Sequence, residues 1–196
     1  MKRANIIMKK ILTTGNTGCR KNLDVERLRI NLDFWKNFWY TLGTVKRKEI
    51  TKMIREINLD MDGTIAGFYD VENWLDYLIQ EDVYPYVAAR PLVNMSVLAR
   101  YLNQLSRAGY VVNIISWTSR NGSDEYNERV RQAKLHWLNQ HLRSVHFDNI
   151  YIIPYGTPKE SFGSGILFDD EQRNRDNWNG IAYDVENILE ILRELI

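Results

Sequence analysis

The chain has 196 residues, 44% hydrophobic and 26% charged, with a formal net charge of +1. That is ordinary globular composition, long enough for one domain with a sizeable core and a small appendage. It excludes an intrachain disulfide framework, because Cys19 is the only cysteine, and it holds no apolar run near the ~20 residues a membrane helix needs.

The lone cysteine suits a reducing cytoplasm. The opening "MKRANIIMKKIL" is basic and then briefly apolar, without a sustained apolar segment or a small-residue cleavage site, so no secretory signal is expected. Residues 1–55 hold 14 Lys/Arg against 4 Asp/Glu, whereas residues 56–196 hold 12 against 21. The sequence therefore divides into a basic N-terminal extension, about 1–52, and an acidic body, 53–196. "TTGNTGCRKN" reads as loop, and it lacks the Gly-Lys-Ser/Thr ending of a phosphate-binding loop. "LDVERLRINLDFWKNFWYTL" is compatible with a helix carrying Phe34, Trp35, Phe38 and Trp39, a cluster that serves either packing or a nucleic-acid contact.

From residue 56 the pattern alternates. Strands are expected at 56–61, 110–116, 149–153, 165–169 and 180–183. Helices are expected near 70–80, over 92–108, and over 123–142, where Tyr126, Val130, Ala133 and Trp137 recur at helical spacing and Ser123 is placed as the N-cap. "DVENILEILRELI" reads as an amphipathic closing helix with Val185, Ile188, Leu189, Ile191 and Leu192 on one face. Alternation of this kind predicts an α/β fold, a Rossmann-like parallel sheet with helices on both faces.

In such sheets ligands sit at the carboxyl ends of the strands. Four strand ends in a row carry chemically useful groups: Asp60 and Asp62, then Ser116 and Thr118, then Lys159, then Asp169 and Asp170. Two carboxylates flanking one residue repel and are costly to bury without compensation, and a cation is one way to supply it. His136, His141 and His146 have no ligand spacing, so no zinc site is expected.

Residues 56–196 resemble the haloacid dehalogenase superfamily of phosphohydrolases, and look closest to its deoxyribonucleotidase branch. The likeness rests on "INLDMDGT", "VVNIISWTS", "TPKESF" and "ILFDDE", which match the family's four motifs in order. It implies that Asp60 is the nucleophile that takes the phosphoryl group and that Asp62 is the general acid and base. It implies a Mg²⁺ held by Asp60, the carbonyl of Asp62, and Asp170 or Asp169, with Asp170 the preferred direct ligand. Ser116, Thr118, Lys159 and the Gly63 turn would serve the phosphoryl group.

Asp60 and Ser116 are 56 positions apart, where a minimal strand–helix–strand unit needs roughly 30. The surplus predicts a small cap at about 66–92, containing Phe68, Tyr69, Trp74, Tyr77, Tyr84 and Tyr86, which either pack within the cap or stack on a nucleobase. The expected function is a Mg²⁺-dependent phosphomonoesterase acting on nucleotides. The alternatives are a phosphatase of polynucleotide ends, guided by the basic arm, and a binding protein that keeps the fold without turnover.

Overall fold

The computed structural model describes residues 55–196. The expectations for the basic extension, its aromatic cluster and Cys19 lie outside the described residues.

Five parallel strands form the main sheet: β1 (Glu56–Leu59), β4 (Val111–Trp117), β5 (Asn149–Ile153), β6 (Ile166–Phe168) and β7 (Ile181–Tyr183), in the spatial order β5-β4-β1-β6-β7. The chain runs outward from β1 through β4 to β5, then returns to the other side of β1 for β6 and β7. The order reverses between β1 and β6, and a crevice opens at the carboxyl ends of strands at such a switch point.

The strands are short and alternate strictly. Val112 and Ile114 of β4 join Ile57, Leu59, Ile166 and Phe168 in one core, while Ile115 and Trp117 join Ile153, Leu167 and Trp178 in another. This explains the near-continuous apolar run "VVNIISW", since a central strand covered on both faces has no solvent side. The first core is covered by α3 (Met95–Arg107) and α6 (Ile188–Leu195), which supply Leu98, Leu102, Leu105, Ile188, Ile191 and Leu192, and by Trp137 and Leu138 of α4 (Asp124–His141). Trp178, just past α5 (Gln172–Asn177), closes the second.

Register is pinned by a polar row across three strands, with Asn58 and Asn113 buried at its centre. Asn149 Nδ2 donates to Asn113 Oδ1 at 2.9 Å, and Asn113 Nδ2 donates to Asn58 Oδ1 at 3.0 Å and to Glu56 at 2.7 Å. A one-residue slip would leave these groups unpaired inside the sheet, so the row fixes which residues fall at the carboxyl ends.

Between β1 and α3 lies an insert stemmed by the antiparallel pair β2 (Ala66–Gly67) and β3 (Arg90–Pro91) and carrying α1 (Trp74–Ile79) and α2 (Tyr84–Ala88). It occupies the predicted 66–92 segment, though its helices are shorter than the single helix expected near 70–80. Asn73 enters α1 at φ 57°, and Glu81 leaves it at φ 54°. Phe68 and Tyr86 bury against Tyr126, Val130 and Ala133 of α4, so the helical stripe read as core does bury an apolar face, partly against the insert. Ser123 caps α4 as expected, accepting from Tyr126 N at 3.2 Å. Its own backbone N–H and hydroxyl each donate to Glu81 at 2.7 Å, and Tyr126 Oη donates to the Asp82 carbonyl at 3.0 Å. These bonds pin the insert to the start of α4. Among the described residues, no helix is long and apolar enough to cross a membrane.

Candidate active site

β1 delivers Asp60 directly off its end, where the Asp60 N–H still donates to the Phe168 carbonyl of β6 at 3.0 Å. The chain then turns tightly. The Met61 carbonyl accepts from Thr64, Ile65 and Ala66 at 3.1, 3.0 and 2.8 Å, which presents Asp62 beside Asp60. Gly63 sits at φ 77°, and a Cβ there would strike the Asp170 carboxylate. Backbone shape and close approach together explain that glycine, which is absent from the cavity lining.

β6 ends in Asp169 and Asp170. The carboxylate oxygens of Asp60, Asp169 and Asp170 lie within 4.8 Å of one another, a group able to hold a metal ion. The two neighbours are held differently. Asp169 is fully buried and accepts from Lys159 Nζ at 2.7 Å, from Asn174 Nδ2 at 3.0 and 3.1 Å, and from the Glu171 N–H at 2.9 Å. Asp170 is only partly buried, is touched by Thr64 Oγ1 at 3.3 Å, and lines the cavity. Asp170 thus faces the cavity, while Asp169 is engaged by Lys159, Asn174 and the Glu171 N–H.

Lys159 is buried and bridges the cluster, 3.0 Å from Asp60 Oδ1 as well as 2.7 Å from Asp169. Burial opposes its charge, but the attraction of Asp60 and Asp169 outweighs that and raises its pKa. Apart from this ion pair at 3.0 Å, Asp60 Oδ1 is buried without a hydrogen-bond partner. The Lys159 charge therefore carries the compensation of that buried oxygen, which has room for a further partner.

The fourth carboxylate has a partner that sequence reasoning missed. Lys134 of α4 is fully buried and donates to Asp62 Oδ2 at 2.6 Å, to Ser116 Oγ at 2.8 Å and to the Trp117 carbonyl at 2.7 Å. All three ammonium hydrogens are used. Ser116 shares the strand parity of Val112 and Ile114 and so faces α4. Because its oxygen accepts from Lys134, its hydroxyl hydrogen is left to donate into the cavity, which it lines. The sequence offered only a partial hint of Lys134, which stands four residues after Val130 on the side of the helix that Tyr126, Val130 and Trp137 bury; its partners were not legible there. Thr64 closes the quoted "INLDMDGT" stretch, whereas Asn174 and Arg175, which donates to the Asp169 and Asp170 carbonyls at 2.7 and 2.6 Å, carried no such hint.

Thr118 is buried just past β4, its N–H donating to the Ile153 carbonyl at 2.7 Å, and it also lines the cavity. Of the expected site residues, Asp60, Asp62, Ser116, Thr118, Lys159 and Asp170 line one cavity of about 540 Å³, within the range of small-molecule sites, whereas Asp169 and Gly63 lie behind its wall. The six insert aromatics divide. Phe68, Tyr69, Trp74 and Tyr86 line this cavity, whereas Tyr77 and Tyr84 pair with each other at 4.9 Å between ring centroids.

Four carboxylates face two lysines here, a formal excess of two negative charges, in a group of which Asp60, Asp169 and Asp170 could hold a metal ion. The titration directions agree. Asp170 is pushed up to about 7 by burial and then by Asp60 and Asp169, and Asp169 up to about 6 by burial and then by Asp60, with Lys159 opposing. Asp62 is raised by burial, with Lys134 opposing and Asp60 adding. Carboxyls drawn toward their neutral forms near neutral pH mark a place built for compensating positive charge or for proton transfer. No protein-family model matches the chain, and no curated protein matches it.

Proposed function

We propose that the chain is a phosphomonoesterase of the haloacid dehalogenase type, dependent on Mg²⁺ and acting on nucleotides. The observation that carries this reading is the convergence of Asp60, Asp169 and Asp170 around Lys159 at the carboxyl ends of β1 and β6. In this reading the insert is the cap, and the acidic body from residue 53 is the catalytic domain.

Asp60 and Asp170, with the Asp62 carbonyl, would hold the cation, which supplies neutralisation of carboxylate and phosphoryl charge. An all-oxygen donor set fits a hard ion. A carboxylate oxygen of Asp60 attacks phosphorus, the bond from phosphorus to the leaving alcohol breaks, and Asp62 passes its proton to that alcohol. Asp62 then takes a proton from water, the water oxygen attacks phosphorus, and phosphate leaves with the Asp60 carboxylate restored. Ser116 donates to a phosphoryl oxygen, and Lys159 neutralises charge that gathers there. Phosphate monoesters need rate factors approaching ~10²¹, which makes this density of charged groups functional rather than ornamental.

The test is phosphate release from nucleotides, sugar phosphates and phosphate-ended oligonucleotides with Mg²⁺. Metal-dependent release from mononucleotides is expected. Absence of release from every ester would end the reading, and preference for oligonucleotides would transfer it to polynucleotide ends and the basic arm.

A further inference from the structure

One wall of the cavity alternates cations and aromatic rings from the buried site to the rim. Lys159 Nζ stands 4.8 Å from the Trp117 ring centre, Trp117 and Tyr155 are 4.9 Å apart at 56°, and the Arg120 guanidinium lies 5.6 Å over Tyr155. Trp117 is fixed at its far end, Nε1 donating to the Thr157 carbonyl at 2.8 Å. Arg120 is exposed, and among the described residues its side chain makes no ion pair or hydrogen bond. The nearby rim carboxylate, Glu81, is already engaged by Ser123.

The same cavity receives the bare apolar face of the insert. Ten large hydrophobic residues are exposed among those described, and four of them, Tyr69 (47%), Leu75 (54%), Ile79 (73%) and Tyr155 (42%), line this one cavity. Exposed apolar surface gathered at the mouth of a charged site marks where an apolar part of a ligand is covered.

We propose that Tyr155 and Arg120, with Leu75 and Ile79 of α1, form a leaving-group subsite that requires a flat ring on the phosphorylated alcohol and is tolerant of which ring it is. This rests on the phosphomonoesterase reading and deepens it. A guanidinium 5.6 Å from the ring centre of an exposed tyrosine offers a cation and a polarisable ring side by side. Every heteroaromatic ring has a π-face for such a surface, whereas discrimination between rings needs hydrogen bonds to their edges. Purine and pyrimidine esters are therefore accepted alike, and an ester that ends at the sugar is not.

The test compares purine and pyrimidine nucleoside 5′-monophosphates with ribose 5-phosphate. All lose the same sugar alkoxide, so only the ring differs. The kcat/KM ratio of each nucleotide to ribose 5-phosphate is expected to be at least tenfold, the scale of one base–aromatic stack. That ratio is expected to collapse toward one in Tyr155→Ala and to survive in Tyr155→Phe. Equal turnover of ribose 5-phosphate by the wild type, an unchanged ratio in Tyr155→Ala, or a preference of more than tenfold between the two ring classes would overturn the proposal.

A second measurement separates its failure from failure of the hydrolytic reading. Adenosine and cytidine are titrated against tryptophan fluorescence, since Trp117 abuts Tyr155. Saturable quenching that weakens at least tenfold in Tyr155→Ala supports the subsite whether or not any ester is cleaved. No quenching by either nucleoside overturns it.

Discussion

Lys134 Nζ lies 2.6 Å from Asp62 Oδ2, although the two residues are 72 positions apart in the chain. The ammonium also holds Ser116 and the Trp117 carbonyl, so one buried cation aligns the proposed acid with the hydroxyl proposed to donate a hydrogen bond to the phosphoryl group. Lys134→Met leaves those acceptors buried and unpaired, a loss on the order of 3–5 kcal/mol for a broken buried pair. We expect kcat/KM to fall ~100-fold or more and the melting temperature to drop. Without Lys134 the Asp62 carboxyl loses the group that opposes its rise, so the pH–rate limb set by Asp62 moves upward. A melting change with an unmoved pH limb would reduce Lys134 to a packing role.

Asp60→Asn and Asp62→Asn conserve shape and remove one charge each. Both are expected to fold and to lose nearly all phosphate release. Acid quenching of the wild type with ³²P-labelled substrate is expected to trap label on the protein, and Asp60→Asn is expected to trap none. Substantial turnover by Asp60→Asn would sink the covalent route.

In the proposed site the cation and protons would compete for the same carboxylates. Asp169 and Asp170 are raised to about 6 and about 7, above the ordinary value of 3.8. A raised carboxyl favours the fold when protonated, so the metal-free protein loses this contribution as pH rises from about 4 through about 7. The stabilisation brought by Mg²⁺ is therefore expected to be larger at pH 8 than at pH 5.5, read as the shift in melting temperature. Asp170→Asn should flatten that difference. A pH-independent Mg²⁺ shift in the wild type would place the ion elsewhere.

Gly63→Ala tests the turn that brings Asp62 and Asp170 together. A side chain at φ 77° costs roughly 1–2 kcal/mol, and here its Cβ meets the Asp170 carboxylate. We expect a lower melting temperature and weaker Mg²⁺ binding, measured by calorimetry. Unchanged Mg²⁺ affinity would separate Asp170 from the ion.

The strands, the long helix with its Ser123 cap and the polar groups at four strand ends were legible from sequence, because alternation, helical spacing and turn chemistry are local properties of the chain. Strand ends drifted by one or two residues: the first was expected over 56–61, yet β1 stops at Leu59 because Met61 already accepts the turn's hydrogen bonds. The insert's position followed from spacing, but its division into α1 and α2 follows from the left-handed backbone at Glu81 and the docking of Phe68 and Tyr86 on α4. Only the tertiary structure decided that Lys134 reaches Asp62, that Asp169 is saturated while Asp170 is open, and that Tyr155 and Arg120 share a wall with Lys159. The physical reason is common to all three. A side chain's type and its place on an element are written locally, but its partner is chosen by how the sheet order and helix crossings bring distant segments together. Nothing in "RQAKLHW" alone distinguishes a solvated lysine from one that must spend all three hydrogens in a buried site.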